Sequence, residues 1–81
     1  MKTSVALRYF ASLAEEAQMT AENLETECRT YRELYADLAR RHGFTLPAEA
    51  VKVAVNDEFT DLDSAVISES VIVFIPPVAG G

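Results

Sequence analysis

A single amphipathic helix with a clear start and a clear stop constrains the fold of this 81-residue chain more than any other feature. Tyr31, Leu34, Tyr35, Leu38 and Ala39 recur at i, i+3, i+4, i+7 and i+8, which lays one apolar stripe along a helix ending near His42. Thr30 and Glu33 have the spacing of a capping box. Arg40, Arg41 and His42 complement the negative end of the helix dipole, and Gly43 suits a left-handed cap. A one-striped helix must lie on an apolar surface, and the rest of the chain reads as strands. A chain of this length cannot cover both faces of a sheet with helices, so the expected class is α+β: a mixed sheet with one main helix across one face.

Val5, Leu7 and Tyr9 alternate with Ala6, Arg8 and Phe10, a period of two that predicts a first strand with one buried face. Leu13, Ala14 and Ala17 then have helical spacing. The weakly alternating stretch from Ala21 to Glu27 reads as an edge strand whose Glu22, Glu25 and Glu27 discourage pairing with another chain. Beyond the main helix, Val51, Val53 and Val55 mark a third strand, and Asn56-Asp57 a turn. Phe59 and Leu62 suggest a short fourth strand, and Val71 to Ile75 a buried last one. By parity the face without a helix receives Arg8, Phe10 and Lys52, so Phe10 is expected to be exposed. The last strand leaves two options, because Ile72 and Phe74 face one way and Val73 and Ile75 the other.

The length supports one domain, with residues 1–75 as its body and 76–81 as a tail. Thirteen acidic against seven basic side chains give a net charge of −6, which repels nucleic-acid phosphates and favours a protein partner with a basic face. Cys28 is the only cysteine, so neither an internal disulfide nor a cysteine metal site is expected, and a reducing cytoplasm fits. No apolar run is long enough to cross a bilayer, and no signal-peptide pattern opens the chain, so a membrane is not expected as a partner. Neither a phosphate-binding glycine loop nor a Ser-His-Asp set is visible, and the chain is not expected to be catalytic alone.

The last strand runs directly into Pro76-Pro77-Val78-Ala79-Gly80-Gly81. Prolines end the ladder and stiffen the exit, and six residues extend about 20 Å at most. Glycines lack a Cβ and pass a narrow channel. Such a tail is expected to carry the Gly81 carboxyl group into another protein's active site, with Pro77, Val78, Ala79 and Gly80 making the insertion.

Several residues together resemble the small subunit of molybdopterin synthase (MoaD), a family of β-grasp, ubiquitin-like sulfur carriers. They are Tyr9-Phe10-Ala11 after an apolar strand, Thr30 at the helix start, Ala54-Val55-Asn56, and above all Phe74-Ile75-Pro76-Pro77-Val78-Ala79-Gly80-Gly81. The chain departs from the family at Glu69-Ser70, where Gly-Asp is usual, and at Gln18, where glycine is common. The resemblance implies that an E1-like adenylating enzyme, consuming ATP, activates Gly81, which becomes a thiocarboxylate. Its sulfur would go to the dithiolene of molybdopterin, in molybdenum cofactor biosynthesis, inside a heterotetramer with the synthase large subunit. It implies no bound cofactor and no metal, only covalent sulfur. It also implies that Phe10, Phe59 and Ile75 form the apolar contact surface for both partners.

The chemistry is coherent on its own terms. A carboxylate is a poor electrophile, adenylation supplies a leaving group, and attack by a sulfur donor leaves an anionic, nucleophilic sulfur. Other carriers fit the same ending: a sulfur carrier for thiamine or cysteine synthesis, or a ubiquitin-like protein modifier. A different class also fits, a non-catalytic β-grasp interaction module whose glycines are incidental. Cys28, where the chain enters the helix, is expected to be half-buried and structural, and His42 to serve as a charge complement. The acidic runs Glu22 to Glu27 and Asp57 to Asp63 read as solvated surface.

Overall fold

The computed structural model describes residues 2–77. Its elements are β1 (Thr3–Tyr9), α1 (Ala11–Ala17), β2 (Ala21–Thr26), α2 (Tyr31–His42), a 3-10 turn (Ala48–Ala50), β3 (Lys52–Val55), β4 (Glu58–Thr60) and β5 (Ser70–Ile75). The strands form one sheet in the order β2-β1-β5-β3-β4. β5 runs parallel to β1 and antiparallel to β3, so the last strand of the chain is the central strand of the sheet.

The stripe of α2 packs as its periodicity requires. Tyr31, Leu34, Tyr35 and Leu38 are buried in one cluster with Val5, Leu7 and Tyr9 of β1, Val53 and Val55 of β3, and Ile72 and Phe74 of β5. Tyr35 meets Phe74 edge-on, with ring centroids 5.3 Å apart, and stacks on Phe44 at 5.7 Å. At the helix start the Thr30 hydroxyl accepts the Glu33 amide at 3.2 Å. The Glu33 carboxylate reaches one residue further back than a closed capping box would, accepting the Arg29 amide at 2.8 Å. At the helix end Gly43, with φ of 75°, donates its amide to the Ala39 carbonyl at 2.8 Å.

Asn56 and Asp57, at φ of 52° and 72°, make the tight turn from β3 to β4. The fourth strand is shorter than its apolar pattern suggests, covering Glu58 to Thr60 and leaving Leu62 outside. Leu62 is half-buried, and its carbonyl accepts the Arg32 amide at 2.8 Å. The Arg32 guanidinium also holds Asp63 through two bonds of 2.8 and 3.3 Å, and Glu49 at 3.1 Å. This clamp ties residues 61–64 to the first turn of α2 and keeps Leu62 out of the ladder. The 3-10 turn after Pro47 had no signal in the pattern of apolar residues. The parity of the last strand is settled: Ile72 and Phe74 point into the core, while Val73 and Ile75 lie on the face opposite α2.

Candidate functional site

The tail leaves from the central strand, which is held on both sides. The β-branched run Val71-Ile72-Val73 suits an extended backbone, and β5 has neighbours on both sides, so its ladder groups are paired. Phe74 is fully buried between its register partners Tyr9 and Val53. Ile75 pairs with Lys52, and Pro76-Pro77 then lack the donors that would prolong the ladder. Pro76 is half-buried and Pro77 exposed, so the chain turns outward there. Val78, Ala79, Gly80 and Gly81 lie outside the described residues.

The sheet face away from α2 has no helix over it. Register places Arg8, Val73, Ala54 and Phe59 in one row across β1, β5, β3 and β4, and Ile75 beside Lys52 in the next. Phe10 follows Tyr9 with the opposite parity and stands 55 % exposed; Phe59 is 72 % exposed and Ile75 half-buried. Following the register pair Tyr9 and Phe74, Phe10 and Ile75 are the next residues at the end of the sheet where the tail begins, and Phe59 lies on the same face towards the β4 edge. Together they form an exposed apolar patch, the kind of surface that proteins cover with a partner. Beside it, Lys52, Phe59 and Leu62 line a shallow groove of about 600 Å³.

A second polar cluster escaped sequence reasoning. Glu22 Oε1 accepts from the Tyr9 hydroxyl at 2.8 Å and lies 2.9 Å from His42 Nε2. The His42 and Glu22 side chains are only 13 % and 18 % exposed. Burial works against ionisation of Glu22, but hydrogen bonds from His42 and Tyr9, with the charges of His42 and Arg41, outweigh it and hold the carboxyl below its usual value. Burial, then the bond to Glu22, pushes the Tyr9 phenol far up and keeps it protonated. The signal was present in the parity of β2: Glu22, Leu24 and Thr26 share one side, and Glu22 opposes the buried Leu7. His42 is thus more than a charge complement, because it clasps the edge strand to the end of α2. Cys28 is half-buried, and its amide donates to Thr26 Oγ1 at 3.1 Å. Among the described residues there is no group of three or more metal-ligating side chains.

The site is thus a strand that holds a tail and an apolar face beside it. A family model matches residues 7–81, and that model is the ThiS family. The chain belongs to the ThiS family. As a ThiS-family protein it has the ubiquitin-like β-grasp fold and is a small protein of the ThiS/MoaD type. The chain is similar, at 29% identity and a TM-score of 0.63, to a protein–protein complex of subunits 1 and 2 of the molybdopterin-converting factor from Helicobacter pylori. That match covers 98% of this chain and 100% of the other. A putative molybdopterin-converting factor subunit 1 from Pyrococcus furiosus has 23% identity and a TM-score of 0.75, over 94% of this chain and 99% of the other. Small archaeal modifier protein 1 from Haloferax volcanii has 21% identity and a TM-score of 0.77, over the same shares. These two share the fold. No curated protein matches the chain. No helix among the described residues of this ThiS-family chain is long and apolar enough to cross a membrane.

Proposed function

We infer that the protein is the sulfur-carrier subunit of a molybdopterin synthase. The observation that carries this reading is the whole-length similarity to the Helicobacter pylori complex of molybdopterin-converting factor subunits, the one among the three relatives above 25% identity. The Gly81 carboxylate attacks the α-phosphorus of ATP on an E1-like adenylating enzyme, pyrophosphate leaves, and a sulfur donor displaces AMP to give the thiocarboxylate. The tail then enters the active site of the synthase large subunit, in a heterotetramer, and the sulfur becomes part of the molybdopterin dithiolene. Acid–base groups come from the partners. The chain binds no cofactor of its own and works in the cytoplasm.

The central position of β5 supports this reading, because a tail pushed into a channel needs a rigid base. The exposed Phe10 and Phe59, with the half-buried Ile75 between their strands, support it as a docking surface for either partner. The test is to incubate thiocarboxylated protein with purified large subunit and the cyclic pyranopterin phosphate precursor, and to assay molybdopterin. Product is expected, and none when Gly81 is deleted. A second reading, a ubiquitin-like modifier, is favoured by the likeness in fold to small archaeal modifier protein 1. Isopeptide-linked conjugates in cells, with no molybdopterin in the assay, would select it. The same assay, negative with an active thiocarboxylate, would turn attention to thiamine or cysteine synthesis.

A further inference from the structure

The chain is acidic overall, with a net charge of −6, yet the open sheet face reverses that sign where the tail leaves. Its strand positions there are Arg8, Val73, Ala54 and Phe59 in one row, and Ile75 and Lys52 in the next. The carboxylate at a strand position of this face, Glu25, pairs with Ser4 at the far end. Arg8 and Lys52 are both exposed, and neither is in an ion pair among the described residues, whereas Arg32 and Arg40 are. Asp61, just beyond β4, lines the groove beside Lys52 without forming such a pair.

Arg8 lies one strand to one side of β5 and Lys52 one strand to the other, offset by two residues along it. Strand spacings of about 4.8 Å put their backbones about 12 Å apart. Val73 and Ile75 lie between them, and Pro76 follows at once. Two cations thus straddle the strand from which the tail departs. A partner that covers Phe10, Ile75 and Phe59 takes both cations out of water, and a buried charge left without a counter-charge costs far more than the apolar contact returns.

We propose that Arg8 and Lys52 select the docking partner: a protein surface with an apolar centre flanked by two carboxylates, set on either side of the mouth of its tail channel. The overall charge alone suggests a basic partner; the placement of the cations assigns the opposite sign to this face. The proposal rests on the carrier reading and names the chemistry of the partner at that same site. The formal charge of the partner as a whole is not fixed by it, since long-range steering and contact pairing act at different distances.

The probe is the adenylating enzyme from the same genome. Its affinity for the wild-type protein is measured by calorimetry at low and high salt, alongside intact-mass analysis after ATP and sulfide. Arg8→Glu and Lys52→Glu are expected to weaken binding tenfold or more each at low salt, with Arg8→Gln and Lys52→Gln intermediate. Arg29→Glu makes the same change of charge on the α2 side and is expected to stay within about twofold, as a solvated surface charge should. Amide NMR spectra of the variants check that the fold is kept. Charge reversals no more harmful than Arg29→Glu, or no binding by the wild type, overturn the proposal. Wild-type binding that depends on Arg8 and Lys52 but yields no gain of sulfur upholds the docking chemistry and overturns the carrier reading.

Discussion

Tyr9 and Phe74 are register partners across the parallel junction of β1 and β5, and both rings are buried. The residue after each, Phe10 and Ile75, has the opposite parity and belongs to the open face. One core pair thus fixes both the strand that carries the tail and the two apolar residues beside it. Phe74→Ala removes the ring that packs on Tyr35 and leaves a cavity, which should cost about 3–5 kcal/mol. Urea unfolding measures this, and a loss below about 1 kcal/mol would mean that β5 is not the anchored strand described.

The exposed aromatics should behave oppositely. Phe10→Ala and Phe59→Ala are expected to change stability by no more than about 0.5 kcal/mol, since neither ring belongs to the core. Each is expected to weaken binding of the adenylating enzyme by about tenfold or more, as aromatic anchors do. Calorimetric titration against that enzyme, paired with denaturation curves, separates the two effects.

The Glu22 clasp predicts an acid-sensitive fold. The carboxyl is held below its ordinary value of 4.5 in the folded protein. Its ionised form therefore contributes stability above that value, and the contribution disappears as pH falls through the lower, folded pKa. Glu22→Gln keeps an acceptor for the Tyr9 hydroxyl but has no charge to lose. The variant should be less stable at neutral pH and show a flatter decline in acid, read from urea midpoints across a pH series. Parallel curves for the two proteins would refute the clasp.

Gln18 ends α1 with φ of 59°, a left-handed conformation that strains residues with a side chain. Relief of about 1–2 kcal/mol, less the greater chain entropy of glycine, leaves Gln18→Gly more stable by about 0.5–1 kcal/mol. A thermal melt tests this, and a lower melting temperature would contradict it.

Local signals were the legible ones. Thr30 and Gly43 mark α2 because capping depends on neighbours in sequence, and the alternation from Val5 to Phe10 already assigns each side chain of β1 to its face. The exposure of Phe10 followed from that alone. Pairing across the sheet was not legible, because the run Val71 to Ile75 is apolar on both sides and shows no parity until β1 and β3 flank it. Leu62 looked like a strand residue, but a clamp between Arg32 and Asp63, 31 positions apart in sequence, decides its place. Glu22 looked like a solvated edge charge because its partners, Tyr9 and His42, come from β1 and the end of α2.

The most direct test of a carrier whose reactive atom is the Gly81 carboxyl is the intact mass of the protein after incubation with its adenylating enzyme, ATP and a sulfide source. A gain equal to the exchange of one oxygen for one sulfur is expected, absent from a protein lacking Gly81 that keeps its fold. An unchanged mass, with an adenylating enzyme shown to be active on another carrier, would contradict the carrier reading.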